Sequence, residues 1–126
     1  INNTESEGDF MQKEIYNLLM DIRKRPGVYL GQKSLTLLHS FLGGYIVRLA
    51  EEGYTDVDLN DFQNYIANRF NIQSAHSWAH IIRFYSGSEA EAFDRFYELL
   101  DEYLSENSEE IKVLSEETEV YEGKQF

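Results

Sequence analysis

The sequence predicts an all-α fold, a compact single-domain bundle of about five helices with a polar, acidic C-terminal tail. Three observations lead there. Apolar residues recur at helical spacings along most of the chain, capping and stop residues punctuate them at intervals fit for short connections, and there is no internal repeat or low-complexity segment. At 126 residues, 42% hydrophobic and 14% aromatic, the chain can close one core of ordinary size.

Residues 1–10 are polar and read as a flexible lead-in to a helical domain over 11–126, with Met11 a candidate native start. Met11, Ile15, Leu18, Leu19 and Ile22 form one helical stripe, and Pro26-Gly27 stops that helix just after Arg23-Lys24-Arg25. Bases at a helix C-terminus complement its dipole. Ser34 can cap a second helix with the stripe Leu38, Phe41, Leu42, Tyr45 and Leu49, ended by Gly53. The pair Gly43-Gly44 inside it costs about 1 kcal/mol per glycine relative to alanine, and is read as the close passage of another backbone.

Asn60 with Gln63 resembles a capping box for a third helix that buries Phe62, Tyr65, Ile66 and Phe70. A shorter fourth helix starts near Ser74 or Ser77 and buries Trp78, Ile81, Ile82 and Tyr85. Ser88 with Glu91 is the strongest capping box and opens a fifth helix with the stripe Phe93, Phe96, Tyr97, Leu100 and Leu104. Beyond Ser105 the periodicity decays, and Ile111–Leu114 fits a helical turn or a short strand within the acidic tail, residues 105–126.

Charge separates the chain into two parts. There are 23 acids against 11 bases, net −12. Residues 1–87 hold ten acids and eight bases, whereas 88–122 hold thirteen acids against Arg95 and Lys112. Such a balance opposes direct binding to nucleic acid or anionic membrane and favours a basic protein partner. The absence of cysteine excludes disulfides, a thiol nucleophile and thiolate zinc sites. No apolar run approaches the roughly 20 residues that span a bilayer, and a cytoplasmic location is expected.

Nothing in the pattern calls for catalysis, a metal or a cofactor. His76 and His80 lie at i and i+4, but lack the glutamate of the zinc-protease motif and read as packed or half-exposed histidines. No serine sits in a Gly-x-Ser-x-Gly elbow. The run Arg23-Lys-Arg-Pro-Gly-Val-Tyr-Leu-Gly31 resembles a segment of the type II topoisomerase ATPase domain. The chain lacks that family's magnesium-holding glutamate and asparagine and its glycine-rich lid, so the likeness reads as a shared way of stopping a basic helix.

A binding surface is the more informative pattern. Glu91, Asp94, Glu98 and Asp101, with Glu102 adjoining, fall on the side of the fifth helix away from its aromatic stripe. Like-charged pairs at Asp94/Glu98 and Glu98/Glu102 each cost about 0.2–0.5 kcal/mol, offset by Glu91/Arg95 alone. The column is therefore read as a face kept negative for a basic partner. The loop over Tyr54, Asp56 and Asp58 is a second candidate contact; it lacks the glycine and closing glutamate of a calcium loop.

The segments Ile22–Gly31, Ser34–Tyr45, Ser77–Ile82 and Glu91–Glu102 together resemble small bacterial immunity proteins of polymorphic-toxin and contact-dependent growth inhibition systems, a likeness running over roughly residues 11–104. The resemblance implies a non-catalytic antidote that occludes the active site of a cognate basic toxin domain. A nuclease is the expected class, an EndoU-like ribonuclease one form of it. Under that reading Glu91, Asp94, Glu98, Asp101 and Glu102 meet toxin lysines and arginines, with Tyr54, Tyr85 and Tyr103 as aromatic anchors wherever they are exposed. A regulatory or scaffold domain for another basic protein would use the same face.

Overall fold

The computed structural model describes residues 11–125, with side chains described through 107; the polar lead-in, residues 1–10, lies outside the described residues. Among the described residues all regular structure is helical, in six helices: α1 Lys13–Lys24, α2 Pro26–Leu30, α3 Leu35–Glu51, α4 Asn60–Arg69, α5 Trp78–Phe84 and α6 Glu89–Gln125. No helix among those residues is long and apolar enough to cross a membrane.

The additional helix is α2, where the sequence suggests only a turn. Pro26 occupies its first position, where a fixed dihedral is preorganised for helix and the missing N–H would have had no partner. Gly31 closes it at φ 85°, its N–H bonded to the Gly27 carbonyl. Upstream, Gln12 caps α1 by accepting from the Ile15 N–H at 2.9 Å, and Ile15, Leu19 and Ile22 are fully buried.

Ser34 caps α3 as its sequence position predicts, accepting from the Leu37 N–H at 3.1 Å. Leu35, Leu38, Leu42 and Leu49 face inward. Phe41 departs from the predicted stripe: it is 38% exposed and meets the edge of Tyr29 at 6.2 Å. The Gly43-Gly44 pair is likewise not a packing contact, since a methyl group built on either would meet nothing within 4 Å.

The expected Asn60/Gln63 capping box does not form. Leu59 is the N-cap of α4, and Asp58 Oδ1 instead accepts from the Asn60 N–H at 3.0 Å. Gln63 turns away to the next connection, donating to the His76 carbonyl at 2.9 Å and accepting from the Trp78 N–H at 2.6 Å. Of the two candidate starts for α5, Ser77 is the cap. His76 thus precedes that helix, and the helical i, i+4 relation with His80 does not apply.

Ser88 and Glu91 form the predicted box with one shift: Ser88 Oγ accepts from the Glu91 N–H at 3.1 Å, and Glu91 reaches past the cap to the Gly87 N–H at 2.7 Å. From there α6 packs against α3, α4 and α5. Ala92, Phe93, Phe96, Tyr97, Leu99, Leu100, Tyr103 and Leu104 are its buried residues. The backbone stays helical through Gln125, so Ile111–Leu114 is helix rather than strand. Phe62 anchors the aromatic centre, with its ring 5.5 Å from Trp78, 5.8 Å from Phe96 and 5.4 Å from Tyr103.

Candidate functional site

The acidic column on α6 is largely neutralised from within the molecule. Asp101 takes a two-pronged contact from Arg23 of α1 at 3.0 and 2.8 Å. Asp94 pairs with Lys33 at 2.8 Å, and Glu102 with Arg69 of α4 at 3.1 Å. Arg95, expected to serve Glu91, pairs with Glu98 at 3.1 Å, while Glu91 is spent on the cap at Gly87. Helical spacing shows charges on one element only; three of these bases arrive from α1, α4 and the connection before α3. All four pairs are solvent-exposed and each stabilises by only about 0–1 kcal/mol, so a stronger cation could displace them.

The loop acids behave differently. Asp56, held at φ 57°, lines a groove of about 450 Å³ with Asp58 and Asp61, over a floor of Met11, Phe62 and Tyr103. Lys13 lines the groove too, yet none of the three aspartates forms an ion pair with it or with any other base among the described residues. Among the described residues Asp58 makes its turn contact to Asn60. Tyr54, also exposed, precedes them. Asp61, in the first turn of α4, belongs to this cluster as well.

The three tyrosine anchors divide. Tyr103 is 5% exposed, lodged between Phe62 and Tyr65 at ring distances of 5.4 and 5.2 Å, so it lines the base of the aspartate groove and does not stand out as an exposed anchor. Burial raises its hydroxyl above the usual tyrosine value. Tyr85 was expected in the core stripe of its helix, but α5 ends at Phe84, and the chain turns Tyr85 outward. It is 55% exposed, stacked on Phe70 at 5.0 Å beside Phe84, which is 79% exposed. This pair borders a groove of about 550 Å³ lined also by Ile72, His76, His80 and Ile81.

Two serine–histidine contacts lie near that groove, Ser74 with His76 and Ser77 with His80 at 2.8 Å. The second is a cap: Ser77 Oγ also accepts from the His80 N–H at 3.2 Å. Among the described residues no carboxylate orients either imidazole, the third member that an activated serine requires. His39 stands at 6.1 Å from His80 and edge-on to Trp78 at 5.2 Å; burial first, then His80, lowers its pKa. No group of three or more His, Cys, Asp or Glu fit for a metal exists among the described residues.

Glu89 is the residue that sequence reasoning missed. Its carboxylate accepts from Ser34 Oγ at 3.0 Å, from the Thr36 N–H at 2.9 Å, from Thr36 Oγ1 at 2.7 Å and from Arg83 Nε at 2.9 Å. Burial raises its pKa, but the hydrogen bonds from Thr36, Arg83 and Ser34 outweigh that and hold it at about 2. It ties the first turn of α3 to the start of α6. Its partners on α3 are more than fifty positions away, so no local motif marks it.

Compared with family models, with curated proteins and with solved structures, the chain matches none of them.

Proposed function

We propose that this protein is a non-catalytic binding protein that neutralises a basic protein domain by covering its active site, the cognate toxin of a polymorphic-toxin system being the form that the sequence resemblance favours. The observation that carries the reading is the groove beside Asp56, Asp58 and Asp61, whose carboxylates have no cationic partner among the described residues. Carboxylates without a partner attract lysine and arginine at long range and raise association rates. The sequence adds six glutamates over 109–122 on the last part of α6 against Lys112 alone.

An apolar anchor accompanies the charge. Asp61 lies in the first turn of α4 and Phe70 caps its other end, about 14 Å away at 1.5 Å per residue, so the Phe70–Tyr85–Phe84 aromatics lie one helix length from the acids. Exposed aromatics beside a groove are the side chains on which binding energy concentrates. The ion-paired column of Asp94, Glu98, Asp101 and Glu102 serves as a secondary contact in this arrangement.

The test captures the partner from the source cell and measures its association with the wild type, with the triple variant Asp56→Asn, Asp58→Asn, Asp61→Asn, and with Tyr85→Ala. The triple variant is expected to slow association tenfold or more at low salt, and Tyr85→Ala to speed dissociation. An association rate independent of salt, with both variants binding as the wild type does, would sink the reading.

A further inference from the structure

Trp78 is 5% exposed and packs its ring against His39, Phe62 and Phe96, yet its indole N–H meets no acceptor among the described residues. A buried indole normally finds a partner for that donor. The residue lines a cleft of about 220 Å³ where the middle of α3 meets the starts of α4 and α5. Two more polar groups that form no hydrogen bond among the described residues border the same cleft. One is the His39 imidazole, which makes ring contacts, and the other is the side-chain amide of Asn60, whose backbone alone is bonded. Gln63 and Ser77 line it too, but both are spent on the connection into α5 and on its cap.

The rest of the lining is apolar and uncharged. Leu42, Ile46 and Leu59 supply a wall, and no acid, lysine or arginine joins them, whereas the grooves beside Asp56 and beside Tyr85 both hold charged residues. Burial first, then His80, lowers the His39 pKa, so near neutral pH its ring is uncharged, one nitrogen a donor and the other an acceptor. Gly43 lines the cleft as well, and a methyl group built on it would meet nothing within 4 Å, so the missing side chain leaves the space open.

We propose that this cleft binds a small uncharged ring with a cyclic amide edge, a carbonyl beside an N–H. The Asn60 amide holds an acceptor and a donor side by side, the complement of that edge. The Trp78 indole supplies a donor for a second ring acceptor, and the aliphatic wall covers the ring's faces. An ionised ligand would lose its hydration and gain no opposite charge in return. At about 220 Å³ the cleft is half the size of the aspartate groove of about 450 Å³, and it lies below the roughly 300 Å³ at which pockets for drug-sized ligands begin. That size suits a single ring rather than a length of peptide. None of Asp56, Asp58, Asp61 and Tyr85 takes part, so this site stands or falls apart from the partner surface.

The experiment titrates uracil, from about 10 µM to 10 mM, into the isotope-labelled full chain and follows the indole N–H resonance, which the single tryptophan makes unambiguous. A saturable shift of that resonance is expected. Binding should weaken tenfold or more for dimethyluracil, which keeps both carbonyls but has each ring nitrogen methylated, and for orotate, the same ring with a carboxylate. Uridine in place of uracil distinguishes a nucleoside from a free ring as the source of the edge, and binding of either supports the site. Asn60→Ala is expected to weaken binding tenfold or more, and Gly43→Leu, which fills the open space, to abolish it. The Asn60 side chain is not the cap of α4, and leucine is a better helix former than glycine, so both variants should keep the fold by circular dichroism. The absence of a saturable shift with both uracil and uridine overturns the proposal. So does a shift that survives either substitution undiminished, or one that dimethyluracil or orotate produces equally well.

Discussion

Arg23 grips Asp101 through both of its terminal nitrogens, at 3.0 and 2.8 Å, and so fastens the end of α1 to the middle of α6. The same guanidinium lies 5.1 Å from the centre of the Tyr97 ring, one turn earlier on α6. The hydrogen bond to Asp101, only partly opposed by burial, raises the Arg23 pKa further. An aspartate that looks like free surface charge in the sequence is thereby a tertiary fastening, though a modest one because both side chains are about half exposed.

Reversing one member should expose that role. Asp101→Lys places a cation opposite Arg23 and is expected to lower the unfolding free energy by about 1 kcal/mol, the lost pair plus a new repulsion. Arg23→Glu in the same chain should recover part of the loss. Urea unfolding of the four members of this cycle measures the coupling, and additive effects would show that the pair contributes nothing.

Glu89 predicts an acid-sensitive junction. Its carboxyl titrates near 2 in the fold against 4.5 as a free group, so folding favours its ionised form. The stability it supplies is complete above pH 4.5 and is lost as pH falls from 4.5 toward 2, because the unfolded chain takes up the proton first. Glu89→Gln should flatten the pH dependence of the melting temperature within that window and leave the other carboxylates' contribution in place. An unchanged slope would deny Glu89 this part.

The contrast between Glu89 and Glu91 shows what a sequence can disclose. Ser88 and Glu91 are three residues apart, and their cap follows from local backbone geometry; so do the Ser34 cap, the halt at Pro26 and the core stripe of α6. Glu89 and the partners of Asp94, Asp101 and Glu102 depend on which helices pack together, and spacing along one helix does not carry that information. Tyr85, expected in a core stripe, is exposed, and Tyr103, a candidate anchor, is buried, for a related reason. A helix boundary one residue earlier turned Tyr85 outward, and the arrival of Phe62 and Tyr65 from α4 covered Tyr103.

Gly43 offers a simpler test. It sits inside α3 with ordinary helical geometry, and a methyl group there would meet nothing. Gly43→Ala is expected to stabilise the fold by about 0.5–1 kcal/mol, since alanine orders more readily in a helix and restricts the unfolded chain. The shift should be read in urea at low protein concentration. Destabilisation would mean that a close neighbour occupies this face.

Gln63 holds the connection between α4 and α5 with both ends of its amide, one toward the His76 carbonyl and the other toward the Trp78 N–H. The second contact satisfies a donor in the first turn of α5 that the helix itself cannot, and it fixes the entry of Trp78 into the aromatic core. Gln63→Ala leaves a partly buried N–H without a partner and is expected to destabilise the protein by about 1–3 kcal/mol. Trp78 is the chain's one tryptophan, so its fluorescence reports directly on the site. A red shift of the native emission in Gln63→Ala would show that the ring has moved toward water, while a native spectrum with a lower unfolding midpoint would confine the effect to the backbone bond. Gln63→Glu, which keeps the acceptor for Trp78 but loses the donor to His76, should hold the native emission and lie between the two in stability.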